Sequence, residues 1–214
     1  IWGTLEQDTF RRDFTINALY YCPTSGKIED HNSGIAHIKN KKIVSIGDPM
    51  KRFSEDPVRS LRAIRFSNKL SFKIDRDVKS AIYKKGYLLD NISNARMFDE
   101  FCKIFLSGIA EKNFNKLVSF NLNKYLILTS PSNSHFSQNL IKEALKNTDK
   151  RVKNDQSVTP GFLIAAMLWP ELLKKSRGDK EINLRKFFRS MDQILRNQQK
   201  ITAIPRKFHS YIKD

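Results

Sequence analysis

Apolar runs long enough to cross a bilayer are missing from these 214 residues. The longest, Phe162 to Trp169, suits a buried helix, whereas a membrane span needs ~20 residues. Cysteine is scarce: Cys22 and Cys102 lie far apart, which suggests neither a CxxC zinc site nor a disulfide framework, and a reducing cytoplasm is the expected setting. The four histidines, His31, His37, His135 and His209, show no metal-ligand spacing. Acidic residues are outnumbered, with Asp+Glu 22 against Lys+Arg 39 and a formal net charge of +17. That imbalance favours a polyanionic partner, and without a span the partner is nucleic acid rather than membrane. The chain also lacks an initiator Met and any leader composition, and it stops within a helical pattern at Phe208–Asp214, so a piece of a longer protein is expected.

What is present suffices for folding. With 40% hydrophobic residues the chain can bury one core or two small ones. Glu6–Arg11 reads as a helical turn, acidic early and basic late. Phe14–Cys22 reads as a strand, Pro23–Gly26 as a turn and Lys27–Asp30 as a returning strand. Lys42–Ile46 is a short strand closed by Gly47-Asp48-Pro49, after which strand signals fade. A long helix is expected from Pro57 with Asp56 as N-cap. Met97, Phe98, Phe101, Cys102 and Phe105 form one apolar helix face ending at Gly108, and Thr159-Pro160 opens a helix through Trp169. Leu184, Phe187, Phe188, Met191 and Leu195 form another stripe. Thr129–Ser134 reads as a linker.

Two clusters carry the chemistry. The first is Arg11-Arg12-Asp13-Phe14-Thr15-Ile16-Asn17-Ala18-Leu19; the second is Ser54-Glu55-Asp56-Pro57-Val58-Arg59-Ser60-Leu61-Arg62-Ala63-Ile64-Arg65-Phe66. Guanidinium groups present planar forks of donors to phosphate or to a base edge, while a carboxylate holds a ribose hydroxyl or a metal. Arg59, Arg62, Arg65 and Lys69 fall within ~120° of one helix. Val58 and Phe66 lie inside that arc, and Ser60, Ala63 and Ser67 occupy the other side, an arrangement that suits a helix facing an anionic cleft better than a solvated one. A capped basic surface helix and a surface salt-bridge turn are the plainer alternatives for the two clusters. Glu6 and Asp8 read as helix-start residues rather than an acid/base pair, and Arg96 and Glu100 as an i, i+4 ion pair. Basic residues predominate from Glu171 onward, 12 Lys/Arg against 5 Asp/Glu, either as a solvated face or as phosphate contacts.

Taken together, the two clusters resemble the class II nucleotidyltransferase family of bacterial poly(A) polymerases and CCA-adding tRNA nucleotidyltransferases. The segments Lys146–Asp155 and Val158–Trp169 resemble the poly(A) polymerase I branch. The resemblance implies an α+β fold: residues 1–50 as the C-terminal part of a nucleotidyltransferase head, 51–112 as a neck and 113–214 as a helical body. It implies template-independent transfer of AMP from ATP to RNA 3′ ends, with CCA addition, or RNA binding without catalysis, as alternatives. Asp13 is then a catalytic carboxylate or a ribose contact. Arg11, Arg12, Asn17, Asp56, Arg59 and Arg62 bind the nucleotide, Asp56 and Arg59 by presenting a protein template to the base, and Arg65 and Lys69 bind RNA. ATP is the substrate, Mg²⁺ the cofactor, and RNA-decay factors are further partners.

The family's Asp-x-Asp metal pair does not precede Arg11, so no metal ligand is expected in this chain, and the chain alone is expected to be inactive. Asp75-Arg76-Asp77 has the right spacing but reads as a helix start. His37 and Val44 also depart from the family pattern, which bears on hinge mechanics rather than on the two clusters.

Overall fold

A computed structural model describes residues 4–128, 135–176, 184–209 and 212. The predicted linker at 129–134 lies outside them. The chain forms two compact units, residues 1–89 and residues 90–214.

In the first unit, helix α1 (Leu5–Arg11) starts at a capping box: Thr4 and Gln7 exchange side-chain and backbone hydrogen bonds at 3.2 and 3.0 Å. The predicted strand over Phe14–Cys22 is mostly not one. Phe14 makes a single antiparallel bridge to Ser45, Thr15–Asn17 is a 3₁₀ turn, and only β1 (Leu19–Tyr21) is extended, paired antiparallel with β2 (Ile28–Asp30). Tertiary packing overrides the β-branched preference here. Helix α2 (Gly34–Lys39) packs onto the 3₁₀ turn so closely that a Cβ at Gly34 would lie 2.5 Å from the Thr15 carbonyl oxygen.

Strand β3 (Lys42–Ile43) pairs in parallel with β4 (Lys73–Ile74), a pair too short to leave an alternating pattern in the sequence. Helix α3 (Pro49–Glu55) lies where a closing turn was expected; Asp48 caps it through the amides of Met50 and Lys51, at 3.1 and 3.3 Å. The next helix, α4 (Arg59–Leu70), begins two residues later than expected. Asp56 precedes a proline and is extended, as that steric clash requires. It ends α3, and its carboxylate accepts the Val58 amide at 3.3 Å in a turn leading into α4. Helix α5 (Arg76–Lys85) has Asp75 as N-cap, as the sequence implied for the Asp75–Asp77 run.

Burial on α4 differs from a simple basic-face picture. Ser60, Ala63 and Ser67, assigned above to the opposite side, are buried with Leu61 and Ile64 because small residues let neighbouring elements approach. Arg59 is itself buried, Arg62 and Arg65 are half-buried, and Lys69 is exposed.

The second unit is helical: α6 (Asn94–Phe105), α7 (Ala110–Ser119), α8 (His135–Lys153), α9 (Pro160–Ser176) and α10 (Leu184–Ile201), each packed on the next, with α10 returning to α6. The α6 apolar face is in place, with Met97, Phe101, Ile104 and Phe105 in the core. Helix α9 continues past Trp169 through Pro170 to Ser176. Burial of Leu163, Ile164, Met167, Leu168 and Leu172 sustains it despite the amide that Pro170 lacks. On α10 the predicted stripe is only partly interior: Leu195 is buried, while Leu184 and Phe188 are exposed. Gln198, fully buried, donates to the Leu126 carbonyl (3.1 Å) and accepts from the Leu128 amide (2.7 Å), fastening that segment to α10. Glu100 is also buried and receives Lys103 at 3.1 Å, so it is a core carboxylate rather than an exposed one. Among the described residues no helix is long and apolar enough to cross a membrane.

Candidate functional site

The segment after α1 and the start of α4 meet through charge. Asp13 Oδ2 accepts a hydrogen bond from Arg62 Nη1 at 2.7 Å, and Arg59 Nε lies 3.4 Å from Asp13 Oδ1. The carboxylate is 14% exposed, against 10% for the Arg59 side chain and 26% for Arg62, so solvent screens this cluster only in part. Backbone bonds set its position: Ile46 N–H donates to the Asp13 carbonyl, and Thr15 N–H to that of Val44. One turn of α4 separates Arg59 from Arg62, which directs both guanidinium groups to the same side.

Arg59 is the most constrained of the cations. Burial lowers its pKa, with Asp13 opposing that effect, while Arg52 reinforces it and Asp56 opposes it. Its Nη1 is buried without a hydrogen-bond partner among the described residues. An unsatisfied donor on a buried cation is costly, and its cost falls if a polar ligand supplies the missing acceptor.

Arg11 and Arg12 are turned elsewhere. Asp8, on α1, accepts from both of them and from the Tyr20 hydroxyl; the Arg12 Nη2 contact is 2.6 Å. The Tyr20 hydrogen bond, followed by those from the two arginines, holds the Asp8 carboxyl well below the usual carboxylate range. Asp8 is thus an anchor for the arginine pair, a role that the helix-start reading did not contain. Asn17 is exposed at the end of the 3₁₀ turn. The Arg65 guanidinium lies 4.4 Å over the Phe66 ring, which meets Phe14 edge-on at 6.0 Å. Lys69 is exposed in the last turn of α4.

Arg52 was absent from the sequence reading. Its Nη2 donates to the carbonyls of Phe10, Arg11 and Arg12 at 3.2, 3.1 and 2.8 Å, and its Nη1 to Glu55 at 3.0 Å. A cation there satisfies carbonyls that a helix end leaves unpaired. The usable signal was the Asp48-Pro49 cap, which starts the helix that carries Arg52.

Among the described residues no three His, Cys, Asp or Glu side chains converge on a metal position. Asp13 faces cations through both oxygens, so this set does not fit Mg²⁺.

A short α/β unit carrying an arginine–carboxylate cluster, followed along the chain by a helical unit, defines the class, and comparisons identify it. Residues 2–44 match the family model described as "Poly A polymerase head domain", and residues 71–131 match "Probable RNA and SrmB- binding site of polymerase A". The chain belongs to the family of poly(A) polymerases and CCA-adding nucleotidyltransferases. It is 35% identical to poly(A) polymerase I of Escherichia coli O6:H1 over 225 aligned residues, covering all of this chain and 48% of the relative. The chain therefore spans about half the length of that protein. A CCA-adding enzyme of Anoxybacillus flavithermus is 39% identical over 123 residues, 58% of this chain and 31% of the relative. The fold is shared with a Thermotoga maritima CCA-adding enzyme complexed with tRNA, at TM-score 0.68 and 23% identity, over 98% of this chain and 47% of that one.

Proposed function

We propose that the protein carrying this chain extends RNA 3′ ends with AMP from ATP, without a nucleic-acid template. The attacking 3′ oxygen forms a bond to the α-phosphorus, the bond to the β-phosphate oxygen breaks, pyrophosphate leaves and the hydroxyl proton passes to solvent. The observation that carries this reading is the joining of Asp13 to Arg59 and Arg62, which makes the two motifs one cluster. In it Asp13 is the brace that orients both guanidinium groups. Arg59 has a buried donor to offer a base edge, with Asp56 at the preceding turn; Arg62, Arg11 and Arg12 serve the phosphates, and Asn17 the nucleotide or its loop. Arg65 and Lys69 contact RNA. Residues 1–50, 51–112 and 113–214 act as head, neck and body. A cytoplasmic setting and RNA-decay partners belong to the same proposal.

The test is nucleotide incorporation by the full-length protein. Arg59→Ala should blur the preference for ATP over CTP by roughly ten- to a hundredfold, the worth of ~1.5–3 kcal/mol for a charge-assisted hydrogen bond. Uniform loss with every nucleotide, at an unchanged ratio, would remove the templating role. The similarity to CCA-adding enzymes over 58% of the chain favours a second reading. Steady CTP incorporation onto tRNA lacking its CCA end would establish that reading instead.

A further inference from the structure

Helix α5 buries Val78, Ala81 and Ile82 against its own unit. On the outward side Arg76, Lys79, Tyr83 and Tyr87 follow at spacings of three, four and four, the last lying in the 3₁₀ continuation Gly86–Asn91. At ~100° per residue these positions keep within an arc of roughly 100°. All four are exposed, Tyr83 by 65% and Tyr87 by 58%. The basic end continues into Lys73, exposed on β4 just before the helix.

One exposed aromatic residue is unremarkable on a protein surface. Two tyrosines on successive turns, with cations at one end of the same stripe, form a pattern. Side chains that could fill an apolar partner's groove are lacking from the stripe: it contains no aliphatic residue, and its rings carry hydroxyls. Flat faces beside guanidinium and ammonium groups instead match a single strand, whose bases stack on aromatic rings while its phosphates lie along positive charge. Tyr83 and Tyr87 stand about 6 Å apart along the axis, which allows each ring its own base. The nearby acidic residues are the N-cap Asp75, which lies 4.0 Å from Lys42, Asp77, about 100° around the helix from Arg76, and Asp90, exposed three residues beyond Tyr87 and therefore at the ring end of the stripe, away from its cations.

We infer that Arg76, Lys79, Tyr83 and Tyr87 form a sequence-tolerant stacking ladder for the single-stranded RNA that this protein extends. The inference rests on RNA being the substrate, and it assigns residues and a binding mode within a segment that the family description associates with RNA only as a whole. Cations supply affinity and salt dependence, and rings supply grip without base choice. Such a surface suits an enzyme whose growing product is a uniform strand.

The experiment is a fluorescence-anisotropy titration of labelled oligo(A) with the full-length protein at several salt concentrations, alongside the KM for ATP. Tyr83→Ala with Tyr87→Ala should weaken oligo(A) binding at least tenfold, with KM for ATP and melting temperature unchanged. The double Tyr→Phe variant should bind almost normally, because the ring is retained. Arg76→Gln with Lys79→Gln should weaken binding and lower the salt slope by about 1.4, since each phosphate contact on a single strand adds about 0.7. Wild-type binding with unchanged affinity in the folded double-alanine variant overturns the ladder alone, and points to a protein partner for this face. Failure of the unmodified protein to bind oligo(A) overturns the RNA-substrate reading, and the ladder with it.

Discussion

Arg62 donates to Asp13 at 2.7 Å, and this one hydrogen bond joins two motifs that the sequence keeps far apart. Arg59 lies beside the other oxygen at 3.4 Å. Each arginine needs the carboxylate to offset the cost of its partial burial, and the carboxylate holds both forks in one orientation. Asp13 therefore supports the site whether or not it touches a ligand.

Coupling between these two residues should be measurable. Asp13→Asn and Arg62→Gln should each destabilise by about 1–3 kcal/mol, below the range for a fully buried pair because both side chains keep some solvent contact. The double variant should lose clearly less than the sum, as expected for groups in direct contact. Urea unfolding of the four proteins provides the cycle, and strictly additive losses would mean that the contact contributes no coupling.

Arg52 should control the segment that precedes Asp13. Arg52→Met removes three carbonyl contacts at the end of α1. Amide exchange around Arg12 and Asp13 should then accelerate, with a stability loss of about 1–3 kcal/mol. Arg52→Lys should not restore protection, because one ammonium does not reproduce the guanidinium fork. Unchanged exchange in the methionine variant would rule out this clamp.

Acid should weaken the turn that leads into α2. Asp30 accepts the amides of Asn32, Gly34 and Ile35 at 3.2, 2.8 and 2.9 Å. Partial burial raises its pKa, but the three hydrogen bonds outweigh that and leave it lowered. A carboxyl lower in the folded than in the unfolded state stabilises fully above the unfolded value of about 3.9, and loses that contribution as pH falls through the folded value. The stability difference between wild type and Asp30→Asn should be largest near neutrality and shrink below about pH 4. A difference that grows with acid would contradict the assignment.

The two thiols should separate cleanly on alkylation. Burial pushes Cys102 up to about 11, so at pH 8 only about a thousandth is thiolate. Cys22 is lowered by its side-chain hydrogen bond with Ser25 and by backbone bonds in the same turn. Iodoacetamide with peptide mass spectrometry should label Cys22 in the native protein and Cys102 only after denaturation. Equal labelling of both thiols in the native state would contradict this picture.

Several elements are legible in the sequence alone. The spacing of Met97, Phe98, Phe101 and Phe105 announces α6, because a period near 3.6 kept over more than two turns has no other regular solution. The turn at Pro23–Gly26 and the Asp75 cap are local chemistry. By contrast, α3 is hidden behind Asp48-Pro49, a pair that closes turns as readily as it opens helices. The parallel β3–β4 pair spans two residues on each side, too few to show a period. The 3₁₀ turn at Thr15–Asn17 is set by the approach of α2, a neighbour that no local preference encodes.

For the site, the sequence by itself determined the chemical inventory: which guanidinium groups and carboxylates exist, which share a helix turn, and which family they resemble. Only the tertiary structure decided their pairing. Arg11 and Arg12 fold back onto Asp8, while Asp13 faces Arg59 and Arg62, because backbone bonds to Val44 and Ile46 set where the Asp13 segment lies relative to α4. Side-chain type is carried by each residue alone, but the partner of a charge depends on which elements pack together, and that is a property of the whole folded unit.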